Sequence, residues 1–198
     1  MNVGRGCVAT HVFLESCARK EVGICFVEEC WVALTANGTQ SYPDYVMLGN
    51  ASRGTKAVVF VRKDLLDAVL LVATMAWAVV VEVGGCRVGG VYGKCGVSVN
   101  AMGDWLRMLG GWIGGGDWVL LADWNAHHHT WLLDGRSGPG GRVLAEWVLK
   151  WGAEVHFVEG TFERRRGREV VQSRIDFVVT SSDSGWTDAG NDWLLSDH

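Results

Sequence analysis

The chain has 198 residues, of which 48% are hydrophobic and 20% charged, and this composition excludes an intrinsically disordered protein. A net charge of −4 excludes a nucleic-acid binder that relies on a strongly basic overall field, although a metal ion or a local basic stretch can still hold a phosphate. With two prolines and no sign of an interdomain linker, we predict a single domain over residues 1–198.

The first half of the chain is predicted to form one helix followed by several strands. Residues 10–21 carry apolar side chains at helical spacing, and residues 24–27 form a short apolar run that is typical of a buried strand. Residues 32–56 are mixed in composition and are predicted to be loop-like. Four β-branched runs separated by Gly, Asp or Lys then predict a strand meander at residues 57–61, 69–72, 77–83 and 87–92.

The second half is predicted to alternate helices and strands. Ser98 is expected to cap a helix that ends at Gly110 and Gly111, and residues 118–121 form a buried strand after the glycine-rich loop. A second amphipathic helix runs over residues 143–151 and ends at Gly152. Two more strands are predicted, at residues 175–179 and 193–195. Because helices and strands interleave without a strict repeat, the class is α/β or α+β with mixed sheets.

Cysteine usage and the N-terminus indicate the compartment. The six cysteines form no CxxC pair and lie mostly among apolar residues, as reduced core thiols do. The first residues lack the pattern of a signal peptide, and the uncharged run over residues 68–81 is too short to span a bilayer. We therefore expect a nuclear or cytoplasmic protein that is not secreted and has no membrane partner.

Acidic, amide and imidazole side chains follow or interrupt several predicted strands. They are Glu28 and Glu29, Asp123 and Asn125, Asp176, and the run Ser196, Asp197 and His198. Burying a carboxylate costs several kcal/mol unless a partner or a metal compensates, so strands that end in acids predict convergence around a cation. Mg²⁺ prefers such oxygen ligands, and Mn²⁺ is a possible substitute. Acid, amide and imidazole groups around this ion predict a phosphodiester hydrolase.

Two other polar runs have competing interpretations. The consecutive residues His127, His128 and His129 suggest zinc, but neighbours on one loop rarely present three ligands together. The arginine-rich stretch over residues 164–168 is either a phosphate-binding patch or a solvated hairpin loop.

The same residues belong to six motifs that follow one another along the chain. They lie at residues 2–6, 25–31, 90–92, 121–128, 161–164 with 173–176, and 196–198. In this order they resemble the endonuclease/exonuclease/phosphatase superfamily, and most closely the apurinic-type endonuclease domains of non-LTR retrotransposons. The chain departs from the family pattern at Glu28, where the motif usually has Gln, which predicts an extra negative charge beside Glu29.

The resemblance implies a role for each motif residue. Glu29 would bind the metal with Asn2 and Asp197 close by, Asp123 would activate or orient the attacking water, and Asn125 would hold the scissile phosphate. His198, paired with Asp176, would stabilise the transition state, and Tyr92 would assist at the phosphate. The resemblance also implies that His127 and Ser196 support the active-site residues and that Arg164 and Arg174 bind the substrate.

The resemblance also implies a fold and a reaction. The fold is a four-layer α/β sandwich with two packed mixed β-sheets, DNase I-like, lacking parts of the first and last strands because the motifs begin at Asn2 and end at His198. The reaction is Mg²⁺-dependent nicking of one DNA strand, and the nick provides a primer for a partner reverse transcriptase. Three alternatives stay open: a phosphoinositide or sphingolipid phosphodiesterase of the same superfamily, a truncated fragment with weak or no activity, and a non-catalytic nucleic-acid-binding module built around residues 164–168.

Overall fold

A computed structural model describes most of the chain. It covers residues 4, 6–30, 42–50, 52, 54–93, 96–131, 137–157, 162–166, 169–173 and 176–182, with the backbone alone for 162–166 and 169–173. The helices within these ranges are α1 (Cys7–Arg19), α2 (Val99–Ile113) and α3 (Pro139–Lys150), with a 3-10 helix at Lys63–Ala68. The strands are β1 (Ile24–Glu28), β2 (Tyr45–Leu48), β3 (Ala57–Arg62), β4 (Val69–Met75), β5 (Ala78–Val83), β6 (Cys86–Tyr92), β7 (Trp118–Asp123), β8 (Glu154–Phe157), β9 (Phe162–Arg166), β10 (Glu169–Ser173) and β11 (Asp176–Thr180).

The strands form two main sheets and one hairpin. The smaller sheet has the order β1-β3-β2, the larger has the order β4-β5-β6-β7-β11-β8, and β9 pairs with β10. The larger sheet is mixed, because β6 runs parallel to β7 while its other neighbours are antiparallel. The predicted meander is therefore only partly right. Its first strand, β3, pairs with β1 and β2 in the smaller sheet, and only β4, β5 and β6 form a meander.

The two sheets pack face to face through a dry layer of apolar side chains. Phe26 of β1 and Val59 of β3 meet Val79 and Val81 of β5 in this layer. Gly90 of β6 makes the close approach possible, since a Cβ atom there would lie 2.5 Å from a ring carbon of Phe26. The positions of β1 that face the larger sheet thus alternate with those that face outward, which is the period of two expected of a strand.

Helices cover the outer face of each sheet. Helix α1 packs Leu14 and Cys17 onto Cys25 and Val27 of β1, while α2 and α3 pack onto the far side of the larger sheet around Leu120. The layers run helix, sheet, sheet, helix, and the predicted four-layer α/β sandwich with two packed sheets is confirmed. Such a stack buries an apolar face of every element.

Several element boundaries differ from the prediction for identifiable reasons. Helix α2 continues to Ile113 instead of ending at Gly110, and Gly110 serves packing, since a Cβ there would come within 2.7 Å of a ring carbon of Trp151. The chain turns only at Gly114, which has a φ of 62°. Strands β2, β8, β9 and β10 were not predicted, and the strand predicted at residues 193–195 lies outside the described residues. None of the described helices has the length and apolar run that a membrane crossing requires.

Candidate active site

Three carboxyl groups from both sheets meet at one edge of the sandwich. Asp123 ends β7 and lies directly opposite Asp176, the first residue of β11, in the antiparallel register. Glu28 ends β1 of the other sheet. One oxygen from each of these side chains lies within 4.8 Å of the others. Glu28 and Asp123 are buried, with 4% and 1% of their surface exposed, whereas Asp176 is half-buried.

Glu28 reaches this cluster because of strand alternation. Phe26 faces the larger sheet, so Glu28, two residues later, faces it as well. Its Oε1 accepts a hydrogen bond of 2.9 Å from the backbone N–H of Asp123. Burial, together with the negative charges of Asp123 and Asp176, raises the pKa of the Glu28 carboxyl to about 8. Glu28 is therefore mostly protonated at neutral pH and does not add the negative charge that the sequence predicted.

The turn that follows β7 is built around Asp123 and Asn125. An oxygen of the Asp123 carboxylate accepts from the backbone N–H of Asn125 at 3.2 Å, and Asn125 adopts a left-handed φ of 46°. Asn tolerates this conformation better than most residues. The backbone of Gly93 packs so tightly here that a Cβ would lie 2.1 Å from the carbonyl oxygen of Trp124. The geometry thus fixes Asn125 next to the carboxyl cluster.

Trp124 and Trp131 support this turn from the core side. The indole N–H of Trp124 donates to the carbonyl of Phe177, and that of Trp131 donates to the carbonyl of Ala126. Both rings are buried, at 2% and 4% exposure. Both rings pack in the core, and Trp124 stacks on Phe177.

A second polar group lies beside the cluster, formed by Glu29, Lys56 and Tyr92. Glu29 has a φ of 48°, which turns the chain at the end of β1, and its carboxylate is paired with the ammonium of Lys56. The same ammonium lies 5.0 Å from the centre of the Tyr92 ring. Tyr92 ends β6 and is the parallel-register neighbour of Asp123. Glu29 is therefore at the same edge as the cluster but is not one of its three members.

The histidine run divides into one buried and two exposed residues. His127 has an exposed side chain, and its carbonyl accepts from the N–H of Gly138 at the start of α3. His128 is buried at 8% exposure, packs against the Trp131 ring at a tilt of 41° and shares a hydrogen bond of 2.9 Å with Thr130. Burial lowers the pKa of His128, which keeps its ring neutral. The imidazole packed behind the turn is thus that of His128, and His127 supports the turn through its backbone.

Several predicted site residues lie outside the described residues. They are Asn2, Arg174, Ser196, Asp197 and His198. For Arg164 the backbone alone is described, in β9 opposite Val171 of the hairpin. Among the predicted residues that are described, the structure brings Asp123, Asp176, Asn125, Tyr92 and Glu29 to one edge.

Two further residues lie at this edge, Glu28 and Lys56. The sequence grouped Glu28 with the strand-end acids that converge on a cation but gave it no role in the site, and its place between the sheets follows from the alternation of β1, in which Ile24 and Phe26 lie on the same face. Lys56 gave no comparable signal, because it precedes β3 in a stretch that reads as loop.

The donors at this edge fit a divalent cation of the Mg²⁺ type. Within the described part of the chain they are carboxylate oxygens with one neighbouring amide, which are the ligands that such hard cations prefer. The three clustered carboxyls are also close enough that they cannot all be ionised without a compensating charge. A proton on Glu28 or a cation supplies that charge.

Comparison with solved structures identifies proteins of the same fold. The endonuclease domain of TRAS1, a telomere-specific non-LTR retrotransposon, superposes with a TM-score of 0.72 at 19% identity, over 92% of this chain and 84% of that one. An AP endonuclease from Archaeoglobus fulgidus gives 0.52 at 13% identity, over 87% and 81%. D. rerio TDP2 complexed with single strand DNA product gives 0.51 at 11%, over 91% and 79%.

The sequence by itself carries much less of this likeness. No protein-family model matches it, and a search of the curated proteins found no match. At identities below one fifth the structural likeness establishes the fold. The chain has the fold of these nucleases and of an endonuclease/exonuclease/phosphatase family protein from Bacteroides thetaiotaomicron, so the resemblance predicted from the motifs is confirmed at the level of the fold.

Proposed function

We propose that this chain is a divalent-cation-dependent DNA endonuclease of the retrotransposon type. The observation that carries the proposal is the convergence of Glu28, Asp123 and Asp176, from three strands of two sheets, beside Tyr92 and Glu29. Carboxylates gathered at one edge, next to an amide and a phenol, are the groups that hydrolysis of a phosphodiester requires.

Each residue has a task that its environment supports. Asp123 orients and deprotonates the attacking water, because its carboxylate is held by the hydrogen bond from the Asn125 N–H in the turn. Asn125, fixed in its left-handed turn, offers an amide to a phosphate oxygen. Tyr92 presents its phenol to the same phosphate. Asp176 positions the imidazole of His198, as the resemblance implies, and this pairing stays a prediction.

For the cation we propose Glu29 as a ligand, as the motif resemblance implies, with Asn2 and Asp197 as its expected companions. Glu28 is unsuited to this task because it is enclosed, hydrogen-bonded to Asp123 and protonated near neutral pH. A protonated carboxyl can accept with one oxygen and donate with the other, as the Gln of the motif does. When bound, Mg²⁺ neutralises the negative charge that builds on the phosphate oxygens.

The biological setting follows from the same proposal. The order of the motifs and the TM-score of 0.72 to a retrotransposon endonuclease domain support a nick that supplies a primer for reverse transcription. The partner would then be a reverse transcriptase of the same element, and the place of action would be the nucleus.

The proposal is tested by nicking of supercoiled plasmid in Mg²⁺, with EDTA and Asp123→Ala as controls. We expect relaxed circles that vanish in both controls. Parallel assays with a phosphoinositide and with sphingomyelin test the lipid alternative. Release of a phosphorylated headgroup without any nicking would replace the endonuclease proposal with that one. A folded chain that cleaves neither substrate would favour the inactive fragment.

A further inference from the structure

Lys56 is held at the active edge through its backbone as well as its side chain. Its carbonyl accepts from the N–H of Glu29 at 2.7 Å, and its N–H donates to the carbonyl of Ala76, in the turn between β4 and β5. Lys56 therefore ties β1 of the smaller sheet to a turn of the larger sheet. Such bonds fix the origin of the side chain and leave only its own torsions free.

The ammonium of Lys56 lies between two groups that we place in the reaction. It forms an ion pair with the Glu29 carboxylate and lies 5.0 Å from the centre of the Tyr92 ring. The Lys56 and Glu29 side chains are 27% and 21% exposed. The charge is partly shielded from water, which strengthens its attraction to anions compared with a surface lysine. It nevertheless remains within reach of solvent and of a ligand.

The surrounding charges show what this lysine can do. The described side chains at this edge include Glu29, Asp123 and Asp176, and these acids repel the phosphates of DNA. A DNA phosphate next to Tyr92 therefore needs a positive group close by, and a lysine ammonium serves as a point-charge phosphate binder. In the structure the Lys56 ammonium forms an ion pair with Glu29, the residue proposed to bind the cation.

We propose that Lys56 is a substrate-binding residue whose ammonium binds a non-bridging oxygen of the DNA phosphate beside Tyr92 and competes with the divalent cation for Glu29. The inference rests on the proposed function and adds a residue to it. Two positive ions repel each other at one carboxylate, so a cation on Glu29 releases the ammonium toward the phosphate. Lys56 thereby couples occupancy of Glu29 to binding of the substrate.

The salt dependence of DNA binding separates a direct phosphate contact from a structural role. For a duplex, the slope of log K against log [salt] changes by about 0.9 for each phosphate that a protein cation neutralises. Binding is measured by anisotropy of a labelled duplex in Mg²⁺, in an Asp123→Asn background that prevents cleavage. We expect Lys56→Met to make the slope about 0.9 less steep and Lys56→Arg to retain it.

Lys63 provides a matched control. It lies at the opposite end of β3 from Lys56, and its ammonium donates to the Pro43 carbonyl. We expect Lys63→Met to leave the slope unchanged. An unchanged slope in Lys56→Met, with folding verified by its melting curve, would overturn the proposal. If Lys56→Met does not fold, Lys56→Gln takes its place under the same criterion.

Cation binding gives a readout that is independent of DNA and of activity. Because the ammonium and the cation compete for Glu29, we expect Lys56→Met to bind Mn²⁺ several-fold more tightly than the parent, measured calorimetrically. Unchanged or weaker binding would contradict the competition. If the parent chain does not nick DNA but Lys56→Met changes both the salt slope and the Mn²⁺ affinity, the endonuclease proposal is refuted and Lys56 remains an anion-binding residue. If the parent chain nicks DNA and Lys56→Met changes neither quantity, only the role of Lys56 is refuted.

Discussion

The two sheets contribute to the candidate site in different ways. In the larger sheet, Asp123 and Asp176 are cross-strand neighbours, so hydrogen-bond register alone brings them together. In the smaller sheet, Glu28 and Glu29 are neighbours in sequence, yet only Glu28 joins the cluster. Within a sheet, proximity follows from register, and between sheets it follows from which face of the strand a residue occupies.

The difference between Glu28 and Glu29 also concerns charge. Glu28 faces the larger sheet, is enclosed and is protonated near neutral pH, whereas Glu29 follows a left-handed turn and pairs with Lys56. Two identical side chains one residue apart thus have different surroundings, one enclosed between the sheets and the other paired with a lysine. One serves as a hydrogen-bonding group between the sheets, and we propose that the other binds the cation.

The largest effect should come from the larger sheet. Asp123→Ala removes the carboxylate that holds the turn and that we propose orients the water, and we expect plasmid nicking to fall by at least about a hundredfold. Asp117→Ala is the matched control, since Asp117 is exposed at the other end of β7. Nicking rates of purified, folded variants provide the measurement, and an Asp123 variant as active as the Asp117 variant would exclude Asp123 from the reaction.

The packing between the sheets should matter next. Gly90→Ala places a methyl group against the Phe26 ring and, as an overpacked substitution, should lower the free energy of unfolding by about 1–3 kcal/mol. Gly111→Ala is a control on the exposed side of α2, where an added Cβ would meet no neighbouring atom within 4 Å. This substitution should leave the free energy of unfolding unchanged or slightly raised. Urea denaturation measures both. Equal stability of the two variants would mean that the sheets do not need this close approach.

The smaller sheet is tested by exchanging each glutamate for its amide. Glu29→Gln should raise the Mg²⁺ concentration required for half-maximal nicking by about tenfold, the effect of losing some 1.4 kcal/mol of cation binding. Glu28→Gln should leave that concentration nearly unchanged, because the amide reproduces the hydrogen bonds of a protonated carboxyl. The opposite pattern would assign the cation to the cluster of Glu28, Asp123 and Asp176.

A separate expectation is a pH dependence of stability without a cation. The pKa of Glu28 is about 8 in the folded protein and near 4.5 when unfolded, so the folded state holds the proton over this range. The unfolded state then binds fewer protons, and the free energy of unfolding should fall as pH rises from about 4.5 to 8. In EDTA, Glu28→Gln should flatten this decline in urea titrations, while Glu29→Gln should not. A wild-type profile already as flat as that of Glu28→Gln would contradict the assigned protonation.

Much of the fold and part of the site could be predicted from the sequence. The apolar runs predicted β3, β6 and β7, and acids that follow or interrupt such runs indicated Asp123 and Asp176, because those patterns depend on local periodicity. Which sheet β3 joins could not be predicted, since pairing is a long-range property. Lys56 was missed for the same reason, as its partners Glu29 and Tyr92 are distant in the chain.

The location of a bound Mn²⁺ ion in an anomalous difference map of soaked crystals tests this comparison most directly. We expect a peak in direct contact with a carboxylate oxygen of Glu29, on the side of Tyr92, with Glu28 still hydrogen-bonded to the N–H of Asp123. A peak enclosed by Glu28, Asp123 and Asp176, with Glu29 still paired to Lys56, would contradict the division of roles between the two glutamates.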